Sequence, residues 1–379
     1  MPWNPRDTMD LRLRFVELAA QEGANRRALC RRFKISPKTG YKWLARYASG
    51  GTAALADCSR RPRQSPGHTA PNVEQEVIAL RLAHPAWGGR KLSQRLRDLG
   101  HLEVPAPSTI TDILHRHDLI SPEASDAATP WQRFEHAQPN DLWQMDFKGW
   151  FELLDGRRCS PLTVLDDHSR FNLVLDACGK TDTRTVRAHL RQTFRRYGLP
   201  LRINADNGSP WGSPSQPGQI TALAIWLIRL GVRLSHSRPL HPQTNGKDER
   251  FHRTLKAEVL KGQHFRNLRN AQGAFDAWRI VYNHQRPHQA LGMATPDSRY
   301  RASARAYPEK LLPIEYDSHD TVVRVGWDGK VCFRSQCFKV SNALHNLPIA
   351  IRAHADLENC YDLYFMHHQL TTINLDEAQ

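Results

Sequence analysis

Three carboxylates lie in three unlike contexts, Asp146 in LWQMDFKG, Asp206 in INADNGSP and Glu249 in HPQTNGKDERFHRTLK. Carboxylate oxygens suit hard divalent cations, Mg²⁺ or Mn²⁺ rather than zinc. Two such ions at one site neutralise a phosphodiester and activate the nucleophile that attacks it in line. The chemistry open to this trio is therefore metal-dependent cutting and joining of nucleic acid.

The elements that must position these acids can be read from periodicity. From Asp141 the chain alternates, with Trp143, Met145 and Phe147 on one side and Gln144, Asp146 and Lys148 on the other, which predicts a strand with Asp146 turned away from the core. A turn at Asp155-Gly156 leads into PLTVLDDHSR and FNLVLDACG, predicting three antiparallel strands. A helix over 183–197 ends at Gly198, and the strand LRINA delivers Asp206 at its C-terminal end. A helix over 221–230, the strand VRLSH and a helix from about Lys247 follow. On that last helix Glu249, Arg253 and Lys256 share one face, and Phe251, Leu255 and Val259 share another. Asp248, one position away, points elsewhere. Asp166 and Asp167 end a strand of the same region and are read as structural, and His168 and His252 as packing or DNA-touching residues.

Net charge names the partner class. The 379 residues carry a formal charge of +15, with a pI near 9.8, which points to a polyanion. Residues 1–120 hold 20 Lys and Arg against 11 Asp and Glu, so the front third carries the larger share of the excess. Two trihelical patterns occupy it. In the first, Ser36 and Pro37 start a third helix bearing Lys38, Thr39, Tyr41 and Lys42 toward DNA and Trp43 and Leu44 toward the core. A basic three-helix bundle with a solvated face is the alternative, and Gly40, inside the helix, counts against the pattern. The bridge CSRRPRQSPGHTAPN places Arg60, Arg61 and Arg63 on an arm along phosphates or in a plain linker. The second pattern, over 72–120, offers Arg90, Ser108 and Thr109.

Seven scattered cysteines give neither a disulfide framework nor a zinc pattern, and Cys332 and Cys337 are expected to be thiols. Pro287 between His284 and His288 argues against a helix bearing both as ligands. With no signal peptide and no long apolar run, the expected address is the cytoplasm, associated with the nucleoid.

At WLARYASGGTAALADCSRRP, QPNDLWQMDFKG, VLDDHSRF, ADNGSP, HPQTNGKDERFHRTLK and YNHQRPHQALGMATP, the chain resembles the DDE transposases of bacterial insertion sequences, relatives of retroviral integrases. The resemblance is to single-frame members with two helix-turn-helix heads. It implies a multidomain chain with all-α heads, an α/β RNase H-like catalytic core and, by analogy, a small all-β SH3-like barrel at the C-terminus. The boundaries expected are a first head over 1–58, a basic linker over 59–71, a second head over 72–120, a linker over 121–137, the core over 138–300 and the barrel over 301–379. The resemblance also implies two Mg²⁺ (or Mn²⁺) ions held by Asp146, Asp206 and Glu249, with Arg253 and Lys256 near the DNA. The implied partners are double-stranded DNA, as terminal inverted repeats and target, and further copies of the chain holding paired ends. Two departures stand out. The Asp206–Glu249 interval is longer than in retroviral integrases, with the surplus around SPWGSPSQPGQI, and the integrase zinc-binding histidine and cysteine pairs are absent. In the tail, VVRVGWDGKVCFR is expected to form a hairpin turned at Asp328-Gly329. Transposition is the expected function. A DNA-binding regulator without chemistry and an RNA-directed nuclease are the alternatives, the latter leaving the two heads without a purpose.

Overall fold

A computed structural model describes residues 8–57, 69–120, 135–212, 220–236 and 246–376. Arg60, Arg61 and Arg63, most of the 121–137 linker and most of the SPWGSPSQPGQI segment lie outside them. The chain forms two compact units, Met1–His68 and Thr69–Gln379.

The first unit holds α1 (Thr8–Ala20), α2 (Arg26–Arg32) and α3 (Pro37–Gly50). Asn25 caps α2, and the Ser36 side chain accepts from Thr39 N to cap α3. Phe15, Val16, Ala19, Cys30, Trp43 and Leu55 form the core. Gly40 is explained by close packing: a Cβ there would lie 2.6 Å from Cys30 Sγ and 2.8 Å from Phe15 Cζ. Relieving a helical glycine with alanine ordinarily gains about 1 kcal/mol, but overpacking costs about 1–3 kcal/mol. Gly40→Ala is therefore expected to lower the stability of this unit, read as a lower thermal midpoint; an unchanged or raised midpoint contradicts the packing account.

In the second unit, α4 (Pro71–Ala83), α5 (Gly89–Asp98) and α6 (Pro107–Arg116) close around Val77, Trp87, Leu92, Leu96, Ile110, Ile113 and Leu114. Beyond them lies a six-stranded mixed sheet of β1 (Leu142–Phe147), β2 (Phe151–Glu152), β3 (Arg158–Asp166), β4 (Asn172–Cys178), β5 (Arg202–Ala205) and β6 (Arg233–His236). β3 pairs antiparallel with β1, β2 and β4, whereas β5 runs parallel to both β1 and β6. One face is covered by α7 (Thr183–Tyr197) and α8 (Ala222–Arg229), through Val186, Leu190, Phe194, Leu223, Trp226 and Leu227. The other is covered by α9 (Gly246–Leu255) and α10 (Leu268–His284), through Phe251, Leu255, Phe275, Trp278 and Tyr282. Trp143 and Met145 belong to the first layer, so strand alternation turns Asp146 toward the layer containing α9.

α7 is tied to β4 by polar contacts as well. His189 Nδ1 lies 2.6 Å from Asp176 Oδ2, and its Nε2 lies 3.6 Å from Cys178 Sγ. The Asp176 and Cys178 hydrogen bonds push the imidazole up to about 10. A histidine with a raised folded pKa contributes stability fully present below its unfolded value, about 6.5, and lost as pH rises through the folded one. Asp176→Asn is thus expected to lower the thermal midpoint by about 2–4 °C at pH 6, with the difference shrinking as pH passes 10. A pH-independent difference would contradict the ion pair.

Residues past the core return to it. The Arg305 guanidinium donates to the carbonyls of Pro200, Leu230 and Gly231, while Tyr300, Tyr307 and Leu311 pack on the first core layer. Then come β7 (Thr321–Arg324), β8 (Lys330–Phe333), β9 (Gln336–Lys339), β10 (Pro348–Ala353), β11 (Cys360–Phe365) and β12 (His368–Asn374). They form an open four-stranded sheet, β12-β11-β10-β7, and a separate β8-β9 pair, so a closed SH3-like barrel is not what these strands make. The expected hairpin at Asp328-Gly329 is also corrected. β7 pairs with β10, and β8 turns instead through Arg334 and Ser335, both at positive φ, to pair with β9. That register sets Cys332 opposite Cys337, Cα atoms 4.1 Å apart, and the two form a disulfide rather than the thiols expected. Ile225 and Ile228 of α8 are buried in the core of this C-terminal region.

Candidate active site and nucleic-acid interface

β1 presents Asp146 beside its own backbone partners. Phe147 N donates to Asp146 Oδ1 at 2.7 Å, and Thr163, the register partner across β3, donates its hydroxyl to the Asp146 carbonyl at 3.0 Å. His252 Nε2 lies 2.8 Å from that same hydroxyl oxygen, so Nε2 carries the proton and Nδ1, 3.9 Å from Asp146 Oδ2, carries the lone pair. Burial pushes the imidazole down to about 3, which keeps it neutral. Burial first, then the charges of Asp206 and Glu249, push the Asp146 carboxyl up to about 7. An anionic neighbour raises a carboxyl in this way only when it lies nearby.

Asp206 follows β5 directly. Gly208 N donates to Asp206 Oδ1 at 3.0 Å, and a Cβ on Gly208 would stand 3.2 Å from Oδ2, so the DNG turn wraps closely around the carboxylate. His236 on β6 donates Nδ1–H to the Asp206 carbonyl at 2.9 Å. Glu249 lies on the exposed side of α9. Among the described residues, no group of three His, Cys, Asp or Glu side chains stands ready to hold a metal. The donor set still fits a hard cation: three carboxylates, one on β1 and one directly after the adjacent parallel β5.

Asp248 points elsewhere than the exposed Glu249, into the protein interior. It is 1 % exposed, neither carboxylate oxygen has a hydrogen-bond partner among the described residues, and Asp146 is the first charge that raises its pKa. A single helical wheel could not find it, because the burial comes from the neighbouring strand. Asp166 and Asp167 are structural. The first accepts from Asn140 N and Ser169 N, and the second from His136 N and Gln144 Nε2 and pairs with Lys247. His168 donates Nδ1–H to the His136 carbonyl. His284 ends α10 and His288 lies beyond it, so the two do not share a helix.

Of the DNA-facing candidates, Lys38, Tyr41, Lys42, Arg90, Ser108, Arg253 and Lys256 are exposed. Thr39 is committed to the α3 cap, its hydroxyl 2.9 Å from that of Ser36, and Thr109 is half-buried. Sequence reasoning missed that Arg12 and Arg46 as well as Lys42 stand over the Trp43 ring, at 4.1, 5.1 and 5.2 Å. It also missed that regular α-helix stops at Leu255. Lys256–Leu260 is a π-turn, in which the Lys256 carbonyl accepts from Lys261 N.

Residues 136–242 and 230–296 each match a family described as Integrase core domain, residues 11–63 match a Helix-turn-helix domain, and residues 39–114 match a Homeodomain-like domain. The catalytic-type sheet is therefore an integrase core preceded by helix-turn-helix domains. An insertion element IS407 protein of 31.7 kDa from Burkholderia multivorans is 33 % identical over 44 % of this chain and 59 % of its own length. An insertion element IS476 protein of 39.2 kDa from Xanthomonas euvesicatoria is 27 % identical over 60 % of this chain and 65 % of its own. Over these stretches the chain is similar to proteins of bacterial insertion elements, and it spans less than two thirds of either relative. The HTLV-2 integrase catalytic core domain, solved in complex with magnesium, is 16 % identical with a TM-score of 0.33, covering 43 % of this chain and 97 % of that one. No helix among the described residues is long and apolar enough to cross a membrane.

Proposed function

We propose that the chain is an insertion-sequence transposase that binds the terminal inverted repeats of its element through the two heads, then cleaves and transfers the DNA ends. The observation that carries this reading is that Asp146, on a strand within the integrase-core match, lies near enough to both Asp206 and Glu249 for their charges to raise its carboxyl. These three side chains would hold two Mg²⁺ or Mn²⁺ ions, which would neutralise the phosphodiester and acidify the attacking hydroxyl. Thr163 holds the Asp146 backbone, and the neutral His252 closes the site beside its carboxylate without competing for the cation as a second positive charge. Water attacks the scissile phosphorus and releases a 3′-hydroxyl, which then attacks a target phosphodiester. One phosphodiester replaces another, so no energy-rich cofactor enters and no covalent protein intermediate forms.

The division proposed for the chain follows the boundaries read from the sequence, with a C-terminal all-β module after the core. Holding two ends together requires at least two copies. The place of action would be the cytoplasm, on the nucleoid. The test is strand transfer on duplexes carrying the inverted repeats that flank the gene, with and without Mg²⁺; end-specific binding without metal-dependent cleavage would favour a regulator.

Lys256, exposed at the start of the π-turn, is proposed to contact a phosphate near the site. Lys256→Ala is expected to weaken DNA binding and strand transfer by about tenfold and to lower the salt slope by about 1, without changing metal affinity. Unchanged binding and transfer reject that role.

A further inference from the structure

The motif YNHQRPHQAL is used by none of the steps above, yet it builds the seam between the second head and the core. Val281 of α10 packs against the core of the second head. Arg286 Nε donates at 2.9 Å to Glu258 Oε1, Trp278 Nε1 donates at 2.9 Å to Glu258 Oε2, and both members of the ion pair are only 9 % exposed. Lys91, on the first turn of α5, feels Arg286, Glu258 and Arg250. Arg250 is the residue after Glu249 and is exposed. Neither the Lys91 nor the Arg250 side chain makes a hydrogen bond or ion pair among the described residues. Two further cations therefore act near the Glu258 carboxylate, which is already bonded to Arg286.

A second, independent observation lies at the same seam. His288 is 8 % exposed and its Nε2 has no partner among the described residues, while Arg286 and Lys91 are the charges that act on it most. An unpaired buried polar atom beside unpaired cations is what a missing polar occupant leaves behind.

We propose that Lys91, Arg250 and Arg286 form a seat for one backbone phosphate of the DNA end, held between the second head and the helix that carries Glu249. Glu258 orients Arg286 through its bond to Nε, leaving the terminal guanidinium nitrogens for the phosphate oxygens. The phosphate supplies the missing negative charge, and the water ordered around it gives His288 Nε2 a partner. DNA held here bridges recognition and chemistry directly, since α5 belongs to the head and Arg250 adjoins Glu249. Burial and the neighbouring arginines hold the Lys91 ammonium down to about 8, a cost that an anion in the seat removes.

The inference rests on the transposase reading, and the test separates the two. Full-length wild type, Lys91→Gln and Arg250→Gln are titrated with a duplex carrying the inverted repeat that flanks the gene, at several salt concentrations, and assayed for cleavage. Each variant is expected to bind about 5–10-fold more weakly at moderate salt, with the slope of log affinity against log salt reduced by about 0.9. Arg250 is exposed, so its variant keeps the test valid if Lys91→Gln folds poorly. Replacing phosphates of the duplex one at a time by neutral methylphosphonates should reveal one position whose loss reproduces the Lys91→Gln defect in wild type and adds nothing in that variant. If wild type binds and cuts while both variants match it in affinity and slope, the seat is wrong and the function stands. If wild type neither prefers nor cuts the repeat, both readings fall. Acylation of Lys91, followed by mass spectrometry, distinguishes the source of the anion. The duplex should shield this lysine and inorganic phosphate should not; equal shielding would mean a free-anion site and overturn the DNA assignment.

Discussion

Asp146→Asn, Asp206→Asn and Glu249→Gln are each expected to reduce strand cleavage and strand transfer by more than about 100-fold, the scale of losing one preorganised electrostatic partner, while leaving binding to end DNA unchanged. Each swap keeps the shape and removes the charge that a cation needs. Asp146 is the most informative of the three, because its carboxyl already responds to both others. Asp248→Asn is the control: neither Asp248 oxygen has a hydrogen-bond partner among the described residues to lose, so most activity should remain. Near-normal turnover by any purified variant of the trio, measured on end duplexes with Mg²⁺, overturns the assignment.

Removing residues 1–68 is expected to produce the opposite defect. Thr69–Gln379 is one compact unit containing the second head, the sheet and all three acids, so it should fold and retain metal-dependent cleavage. What it loses is one of two linked DNA-binding modules, and joining two modules raises avidity by about 10²–10⁴. End affinity should therefore fall by about 100-fold, and cleavage should recover at high protein concentration. Competition titrations at two salt concentrations check this, and full end affinity in the shortened chain would assign recognition elsewhere. Cutting at residue 121 instead would uncover the Val281 contact and divide the second unit.

The core was legible because its signals are local. Strand alternation is enough to put Asp146 opposite Trp143 and Met145, and a glycine after an amphipathic stretch is enough to end α7 at Gly198. The distinctive runs around Asp206 and Glu249 supplied the resemblance to integrase-core proteins on top of that. What escaped depends on partners distant in the chain. The 321–333 segment has turn residues in the right place, but strand β7 finds its hydrogen bonds on β10, and no local pattern announces that choice. Cys332 and Cys337 face each other only once the turn at Arg334 and Ser335 fixes the register. Gly40 counted against a helix on propensity alone, whereas Cys30 and Phe15 leave no room there for any side chain. Asp248 is one residue from Glu249 on the wheel, yet the strand beside α9 gives one burial and leaves the other exposed.

The position of α8 has a consequence for how this protein can be dissected and how its lineage can vary. Leu223, Trp226 and Leu227 face the catalytic sheet, while Ile225 and Ile228 are enclosed by the C-terminal strands. A gene truncated after the core would leave those two isoleucines in water on the helix that immediately precedes β6, the neighbour of the strand delivering Asp206. The tail is in this sense a wall of the catalytic domain. Exchange of tails between related elements is constrained to partners that offer a greasy surface of the same shape to that helix.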